Sequence, residues 1–295
     1  MFLKKVIKRS TKNSLSRVNE ALADADAILI GIGAGMSAAA GLEYFGPRFE
    51  KYFTDFKDEY GIADMYSGGF YPFKTKEEYW AWWSRHVYIN RYLPKALQPY
   101  LDLLKLVNDK NYFILTTNVD HQIQKAGFDK NRLFYTQGDY GLFQCSVPCH
   151  DKTYNNETII KKMVEQQSNM RIPTELIPKC PRCGENMTMN LRIDDRFVEN
   201  EGWHKAQARY EKFLAENAKK KIVYLELGVG MNTPGIIKYP FLQMTNQNPK
   251  AEFISFNAQR FEYPEQLEPQ IIQVVGDIAE ELHELVKYHK KSSEL

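Results

Sequence analysis

The chain of 295 residues is long enough to bury a substantial core, and its 43% hydrophobic and 26% charged residues are ordinary for a globular protein. A net charge of +2 provides no global field that would attract nucleic acid or an anionic membrane. No apolar run approaches the length needed to span a bilayer, so we expect neither nucleic acid nor a membrane as a partner.

The N-terminal 19 residues contain six basic residues and no acidic one. This composition fits either a transit peptide or a basic first helix of the folded domain. We favour the helix, because apolar residues recur at helical spacing over residues 14–25 and lead into a strand without a linker. The segment has no apolar signal core, and we expect a cytosolic protein.

The stretch from Ile28 to Gly41 combines a short apolar run, three glycines at alternate positions and an alanine-rich segment. This order predicts a strand over Ile28–Gly31, a tight turn, and a helix that begins at about Met36. Gly33 and Gly35 would let the backbone approach a ligand where any side chain would clash. The first N–H groups of the helix would point at a phosphate.

Two other interpretations of these glycines stay open. A tight turn between strand and helix needs them without any ligand. The dehydrogenase fingerprint is weaker but not excluded, because its third glycine falls on Met36 when counted from Gly31. Counted from Gly33, it falls on Ala38, a permitted variant.

Residues 42–107 are rich in Tyr, Phe and Trp. Periodicity predicts helices over Lys76–His86 and Pro94–Asn108. We interpret the aromatic side chains as the core of an inserted helical unit rather than as a binding surface.

Apolar runs predict further buried strands, and helices alternate with them. The strands are Tyr112–Thr117, Leu133–Thr136, Ile222–Leu227, Ala251–Phe256 and Ile271–Val275. Helices are predicted over Trp203–Lys219 and from residue 278 to about Tyr288. This rhythm predicts an α/β fold. Asn118 and Asp120 follow one strand, where open α/β sheets bind ligands.

The four cysteines form two closely spaced pairs, Cys145-x-x-x-Cys149 and Cys180-x-x-Cys183. Two such pairs of thiolates complete a tetrahedron, so the spacing predicts a zinc site. A site closed by four thiolates has no open position for water, which makes the zinc structural. Four free thiols are the alternative, and His150 is an alternative ligand.

Two segments complete the cysteine-containing region. Residues 151–175 are polar and mixed, and we expect a mobile excursion there. Met187–Ile193 alternates apolar and polar residues, which predicts a strand that leads back to the main sheet.

Taken in order, the motifs resemble those of the sirtuin family from about Ala27 to Ile278. The shared elements are Gly33-Ala34-Gly35-Met36-Ser37 with Gly41, Thr116-Thr117-Asn118-Val119-Asp120, the cysteine pairs, Gly228 after a strand, and Gly276-Asp277. The resemblance implies a Rossmann-like parallel sheet, a small domain made of a helical insert and a four-cysteine zinc module, and NAD in the cleft between them. The predicted boundaries are 1–45, 109–141 and 218–295 for the Rossmann-like NAD-binding domain, 46–108 for the insert and 142–217 for the zinc-binding module.

The resemblance also implies roles for single residues. Asn118 would order the ribose and the reacting water, and Asp120 would hold the carboxamide of NAD. Phe45 takes the place of the aromatic residue next to the nicotinamide. The residues implied to face the pyrophosphate are Gly33, Ala34, Gly35, Ser37 and Gly228, and those implied at the adenosine end are Asn257, Gly276, Asp277 and Ile278.

Departures from the sirtuin pattern indicate altered chemistry. Deacylating sirtuins carry His-Gly after the third strand, where this chain has Gln137-Gly138. That histidine is a base, whereas an amide cannot take up a proton near neutral pH. Loss of a general base costs about 10²–10⁴ in rate. The strand that walls the acyl tunnel is charged here, from Leu191 to Arg196, and the arginine after the glycine loop is missing unless Arg48 replaces it.

This combination resembles the class M sirtuins, which are linked to macrodomain proteins. The resemblance implies protein mono-ADP-ribosylation, with a lipoyl-carrier protein of the glycine-cleavage type as the target and a macrodomain hydrolase that removes the modification. Our leading hypothesis is therefore NAD-dependent ADP-ribosyl transfer, in which Asn118, Asp120 and Gln137 act at the ribose. Arg192 would orient an acidic acceptor or a phosphate, although an exposed strand arginine explains the same position.

Three alternatives stay open. The protein is a deacylase that works less efficiently with Gln137 and water, or an NAD-binding module without chemistry, or, most remotely, a zinc-ribbon nucleic-acid binder. The missing arginine favours the NAD-binding module without chemistry, called the silent module below, and the retained Asn118 and Asp120 weigh against it.

Overall fold

The structure, a computed structural model, describes residues 2–231 and 234–293, and describes side chains for residues 13–231 and 234–290. Asn232 and Thr233, in the loop expected after Ile222–Leu227, lie outside the described residues. The strands are β1 Ala27–Ile32, β2 Tyr112–Thr116, β3 Leu133–Tyr135, β4 Gly138–Cys145, β5 Tyr154–Asn155, β6 Met187–Leu191, β7 Ile222–Leu227, β8 Glu252–Asn257 and β9 Ile271–Val275. The α-helices are α1 Phe2–Asp24, α2 Ala34–Ala39, α3 Pro47–Tyr60, α4 Met65–Gly68, α5 Lys76–Val87, α6 Gln98–Val107, α7 Gln122–Lys125, α8 Glu157–Gln166, α9 Glu201–Asn217, α10 Lys238–Gln247 and α11 Ile278–Ser293.

Six strands form one parallel sheet in the order β3-β2-β1-β7-β8-β9. Counted along the chain among themselves, they lie in the order third, second, first, fourth, fifth, sixth, which is the Rossmann order. β1 and β7 are neighbours in space although residues 33–221 separate them, so their carboxyl ends flank the point where the strand order reverses. The predicted fold class is confirmed.

Helices cover both faces of this sheet, which explains why its strands are continuous apolar runs. In β1, Ile28, Ile30 and Ile32 pack with α1, α6 and α11 on one face, and Ala27 and Leu29 pack with α9 and α10 on the other. The N-terminal segment is helical, as favoured above. None of the helices in the described part of the chain combines the length and the apolar character that a membrane span requires.

The helical insert and the cysteine-containing segment share one aromatic core. Phe53, Trp80 and Trp82 of the insert pack in the same cluster as Phe143 of β4 and Met189 of β6. β4, β5 and β6 form a separate antiparallel sheet in the order β5-β4-β6. Most of these aromatic residues are core, as predicted, although Tyr66 and Phe70 are exposed, and the core belongs to both segments.

Two predictions for the cysteine-containing region are corrected by the structure. The strand expected over Met187–Ile193 is present as β6 Met187–Leu191, but it pairs with β4 in the second sheet and not with the main sheet. The segment 151–175 is not a mobile excursion, since it contains α8, whose Ile160 and Met163 are fully buried in the aromatic core. These two apolar residues are three positions apart, so they lie on one face of α8, and that face packs beside α5.

Local sequence explains the boundaries of the insert helices. α5 begins as predicted, because Thr75 and Glu78 form a capping box. It continues into a π-helix over Tyr88–Tyr92, and α6 begins only at Gln98. α3 was not predicted, although a proline at its first position and a left-handed glycine at its end are typical helix boundaries.

Candidate active site

The loops that follow β1 and β7 pack backbone against backbone at the reversal point of the sheet. The amide of Gly35 donates to the carbonyl oxygen of Gly228 over 2.9 Å, and a Cβ at Gly33 would lie 2.7 Å from that oxygen. Gly228 has a φ of +65°, and a Cβ there would lie 2.3 Å from the amide nitrogen of Met36. The contact between the two loops therefore requires these glycines, whether or not a ligand also approaches them.

Three predicted site residues meet beside these loops. Ser37 Oγ donates to Asp120 Oδ2, while Asn118 Nδ2 donates over 2.9 Å to both Ser37 Oγ and the carbonyl oxygen of Gly33. Asp120 Oδ1 accepts from the amide of Gln122 over 3.0 Å. The polar residues after β2 and the loop after β1 thus form one hydrogen-bonded cluster.

Tyr100 of α6 belongs to the same cluster and was not predicted. Its hydroxyl lies 2.9 Å from Ser37 Oγ, and its side chain is fully buried. Burial raises the pKa of Tyr100 well above its ordinary value, and burial also raises the pKa of Asp120. An aromatic residue at a core position of an amphipathic helix gives no sequence sign of a polar role, which is why it was missed.

The backbone of Gln137 runs alongside the residues that follow β2. The amide of Thr136 donates to the carbonyl oxygen of Thr116 over 3.0 Å, and the amide of Tyr140 donates to that of Val119 over 2.9 Å. Gln137 lies between the two donors along the chain, and Asn118 lies between the two acceptors, so the backbones of Gln137 and Asn118 run side by side. The side chain of Gln137 is half-buried, and no described residue forms a hydrogen bond with it.

Arg192, the candidate for orienting an acceptor, follows β6 beside Gln137. Its amide donates to the carbonyl oxygen of Gln137 over 3.1 Å. Its guanidinium pairs with Glu199 and lies 4.4 Å from the ring centre of Phe197 and 5.4 Å from that of Trp203. The side chain is exposed, as the alternative of a surface arginine expects, and these contacts hold it in place.

Residues 43–48 lie between the glycine loop and the helical insert. Phe45, expected beside the nicotinamide, is 62% exposed. Arg48 donates to the carbonyl oxygens of Glu43 over 3.0 Å and of Ile89 over 2.9 Å. Its guanidinium therefore ties this segment to the insert.

A short chain of buried hydrogen bonds adjoins this segment and was also missed. The Tyr44 hydroxyl lies 2.7 Å from that of Tyr140, which lies 2.8 Å from His86 Nε2. Burial, with a contribution from the charge of Arg48, lowers the pKa of His86 to about 3. Burial raises the pKa of Tyr44 to about 12. All three side chains are therefore uncharged near neutral pH.

Asp139 is a buried acid two residues after Gln137, and its role was not predicted. Its Oδ1 accepts from Arg91 Nε over 2.7 Å and from the amide of Gly141 over 2.6 Å, and its Oδ2 lies 2.5 Å from His121 Nδ1. Burial opposes ionisation, but the hydrogen bond from His121 and the charge of Arg91 outweigh it and lower the pKa of Asp139. This network fixes the start of β4 against the residues after Asp120.

The residues expected at the adenosine end follow β8 and β9. Asn257 Nδ2 donates to the carbonyl oxygen of Val229 over 3.0 Å, which joins it to the Gly228 loop. Asp277 Oδ1 accepts from the amides of Ala279 over 2.8 Å and Glu280 over 3.0 Å and so caps α11. The side chain of Ile278 is buried in the core.

The four cysteines come together as their spacing predicts. Their sulfur atoms all lie within 4.8 Å of one another, and Cys145–Cys183 and Cys149–Cys180 are 3.6 and 3.7 Å apart. Sulfur atoms at about 2.3 Å from a tetrahedral zinc ion would be about 3.8 Å apart, so the geometry fits zinc. His150 is not a member of this group, but its Nδ1 lies 3.0 Å from Cys149 Sγ, and its Nε2 bonds to Tyr154 over 2.7 Å.

The Rossmann strand order, the two glycine loops at the reversal point and the polar cluster beside them define an α/β protein of the Rossmann class, and it carries a cluster of four cysteines that could hold a metal ion. A model of the Sir2 family matches residues 33–224. The chain belongs to the Sir2 family, and the predicted sirtuin resemblance is confirmed.

Two relatives share sequence over most of this chain. A protein of Staphylococcus aureus named "Protein ADP-ribosyltransferase" is 41% identical over 261 residues, which cover 88% of this chain and 82% of the relative. A protein of Fusarium oxysporum f. sp. cubense named "Probable bifunctional ADP-ribose hydrolase/ADP-ribosyltransferase" is 30% identical over 248 residues, which cover 79% of this chain and 40% of that protein.

Solved Sir2 structures have the same fold. A Sir2 homologue in complex with ADP-ribose has a TM-score of 0.62 at 16% identity, covering 95% of this chain and 98% of that chain. A Sir2 homologue–NAD complex has a TM-score of 0.59 at 17% identity, covering 94% of both chains.

Proposed function

We propose that this protein is an NAD-dependent protein mono-ADP-ribosyltransferase of the sirtuin type. The observation that carries the proposal is that the residue whose backbone runs beside the Asn118 segment is a glutamine, Gln137, whose side chain is an amide. Deacylating sirtuins have a histidine base at the corresponding place. The relative from Staphylococcus aureus with 41% identity, named as a protein ADP-ribosyltransferase, supports the same function.

The donors and acceptors of the cleft suit NAD as a co-substrate. Gly33, Gly35 and Gly228 carry no side chain that would obstruct a pyrophosphate at the reversal point of the sheet. No described residue donates to Asn118 Oδ1, so it is available to accept a hydrogen bond from a ribose hydroxyl. By this proposal Ala34 and Ser37 belong to the pyrophosphate side, Asn257, Asp277 and Ile278 to the adenosine end, and Phe45 to the nicotinamide.

The protein's own part in the transfer follows from these side chains. NAD, when bound, supplies the ADP-ribosyl group and nicotinamide as the leaving group. Asn118 and Asp120 would orient the ribose and the carboxamide, and Gln137 would hold ribose hydroxyls without removing a proton. The acceptor side chain forms the new bond to the ribose carbon as the bond to nicotinamide breaks, and its proton passes to water. Arg192 would orient that acceptor.

The partners form the finer part of the proposal. We infer a lipoylated carrier protein of the glycine-cleavage type as the target and a macrodomain hydrolase as the enzyme that reverses the modification. The name of the Fusarium relative couples a hydrolase with a transferase, although this chain matches only 40% of that protein. The domain boundaries given above, a structural zinc ion and a cytosolic location belong to the same proposal. The four cysteines form no disulfide, which supports both the zinc ion and the cytosolic location.

Incubation with NAD labelled in its adenosine moiety and the lipoylated carrier protein tests the proposal. Label on the carrier, with release of nicotinamide, supports transfer. Loss of an acyl group from an acylated carrier without label would establish the deacylase instead. Calorimetric binding of NAD with no nicotinamide release at any protein concentration would establish the silent module.

A further inference from the structure

The hydrogen bonds around Ser37 can be assigned proton by proton. Ser37 Oγ is in contact with Asp120 Oδ2, with the Tyr100 hydroxyl and with Asn118 Nδ2. A serine hydroxyl has one proton to donate and two lone pairs that accept. Three partners therefore use the whole hydrogen-bonding capacity of the hydroxyl, provided that one of them accepts and the other two donate.

The orientation of the Asn118 amide is fixed by its second partner. One side of the amide faces the carbonyl oxygen of Gly33 over 2.9 Å, and a carbonyl only accepts. Turning the amide over would set two oxygen atoms against each other. The nitrogen consequently donates one proton to Gly33 and the other to Ser37, with a longer contact of 3.4 Å to the Tyr100 hydroxyl, and Oδ1 points away from Gly33 and Ser37.

The direction of the remaining bonds follows. Ser37 Oγ donates its one proton to Asp120 Oδ2, while the other carboxylate oxygen accepts from the amide of Gln122. Ser37 then accepts from Asn118 and from Tyr100, and the phenolic proton of Tyr100 fills its last lone pair. A phenol with a pKa raised by burial keeps that proton throughout the ordinary pH range.

We propose that Tyr100 is a positioning residue, which rests on the proposed function of the site. Its buried proton holds Ser37 as the donor to Asp120, and Ser37 in turn holds Asn118 with Oδ1 free for the ribose. Tyr100 is fully buried in the core between α6 and the sheet, so it acts not on the substrate but mainly through Ser37, at 2.9 Å, with the 3.4 Å contact to Asn118 as the longer of its two bonds.

Tyr100→Phe tests this proposal, because it removes the hydroxyl and keeps the ring. Tyr112→Phe is the matched control. Tyr112 lies in the same core, at the first residue of β2 and thus at the end away from the polar cluster, and its hydroxyl accepts from the amide of Asp129 over 3.4 Å. The readout is nicotinamide released from NAD in the presence of the lipoylated carrier protein, with thermal melting as the check on folding.

We expect Tyr100→Phe to lower kcat about 5- to 100-fold, the effect of one lost hydrogen bond at a buried polar group. KM for NAD should change less than about twofold, because the glycine loops remain intact. In a Ser37→Ala background the phenolic proton has lost its acceptor, so adding Tyr100→Phe should cause no further loss.

Equal kcat values for Tyr100→Phe and Tyr112→Phe, or additive effects of Tyr100→Phe and Ser37→Ala, would overturn the role of Tyr100 and leave the proposed function standing. A wild-type protein that releases nicotinamide without modifying the carrier would overturn the proposed function, and the Tyr100 comparison would still decide. A wild-type protein that releases no nicotinamide would overturn both.

Discussion

Lys238 and Glu226 form an ion pair in the interior of the protein, with Lys238 Nζ 2.6 and 2.8 Å from the two carboxylate oxygens. Both side chains are at most 2% exposed. Ser255 also donates to Glu226, over 3.1 Å. The pair joins the first residue of α10 to β7 just before Gly228, so it supports one of the two glycine loops.

Breaking this pair should be costly. Lys238→Met leaves Glu226 buried without its partner, and we expect a loss of about 3–5 kcal/mol in the free energy of unfolding, measured in urea. The control is the double variant Glu226→Gln with Lys238→Met, which buries no charge and should recover most of the loss. Equal destabilisation of the single and double variants would show that lost packing, not the unpaired charge, is responsible.

The contact between the glycine loops predicts a strong effect of Gly228→Ala. Its left-handed backbone alone costs about 1–2 kcal/mol for an L residue, and the added Cβ would meet the amide of Met36 at 2.3 Å. We expect a lower melting temperature and weaker NAD binding by calorimetry. Gly235→Ala, in the same loop, should leave both unchanged, because no atom of the described residues lies within 4 Å of the added Cβ. Wild-type affinity for Gly228→Ala would contradict the arrangement.

Gln137→His separates the two enzymatic hypotheses. A deacylase that works without its base should gain about 10²–10⁴ in acyl removal when the imidazole is restored. A transferase that uses Gln137 only to hold ribose hydroxyls should gain nothing or lose activity. Rates of acyl removal and of carrier modification, measured side by side with Gln137→Ala as reference, check this. A large gain in acyl removal would refute the transferase assignment.

Removal of the metal should disturb more than the cysteine segment. Cys145 and Cys180 are buried in the same core as Trp80 and Trp82. We expect one zinc ion per chain by elemental analysis, and chelation should change the tryptophan fluorescence and lower the melting temperature. Chelator saturated with zinc beforehand is the control. A metal-free chain with unchanged fluorescence would mean that the four cysteines are not a structural zinc site.

The lowered pKa of Asp139 predicts that the folded protein loses stability in acid. Its pKa is lowered in the folded state, so its stabilising contribution is complete above its unfolded value of about 3.9 and is lost as the pH falls through the folded value. The difference in unfolding free energy between the wild type and Asp139→Asn should therefore be constant above about pH 5 and shrink toward pH 3. Asp58→Asn, an exposed position on α3, should show no such dependence. A difference for Asp139→Asn that stays constant down to pH 3 would rule out this linkage.

The strands of the main sheet could be predicted because burial on both faces leaves an unbroken apolar run, as in Leu29 between Ile28 and Ile30. The zinc site could be predicted because thiol spacing restricts geometry directly. β4 could not be predicted, because Asp139 and two glycines in its sequence are typical of a turn. Its stability comes from partners that are distant in sequence, Arg91 and β6. Neighbours distant in sequence also decide the position of α8 and the polar role of Tyr100.

The most direct test of the central claim is the intact mass of the lipoylated carrier protein after incubation with this protein and NAD. We expect a carrier heavier by one ADP-ribosyl group, with one nicotinamide released for each modified carrier. An acylated carrier that loses its acyl group and gains no ADP-ribose would contradict it.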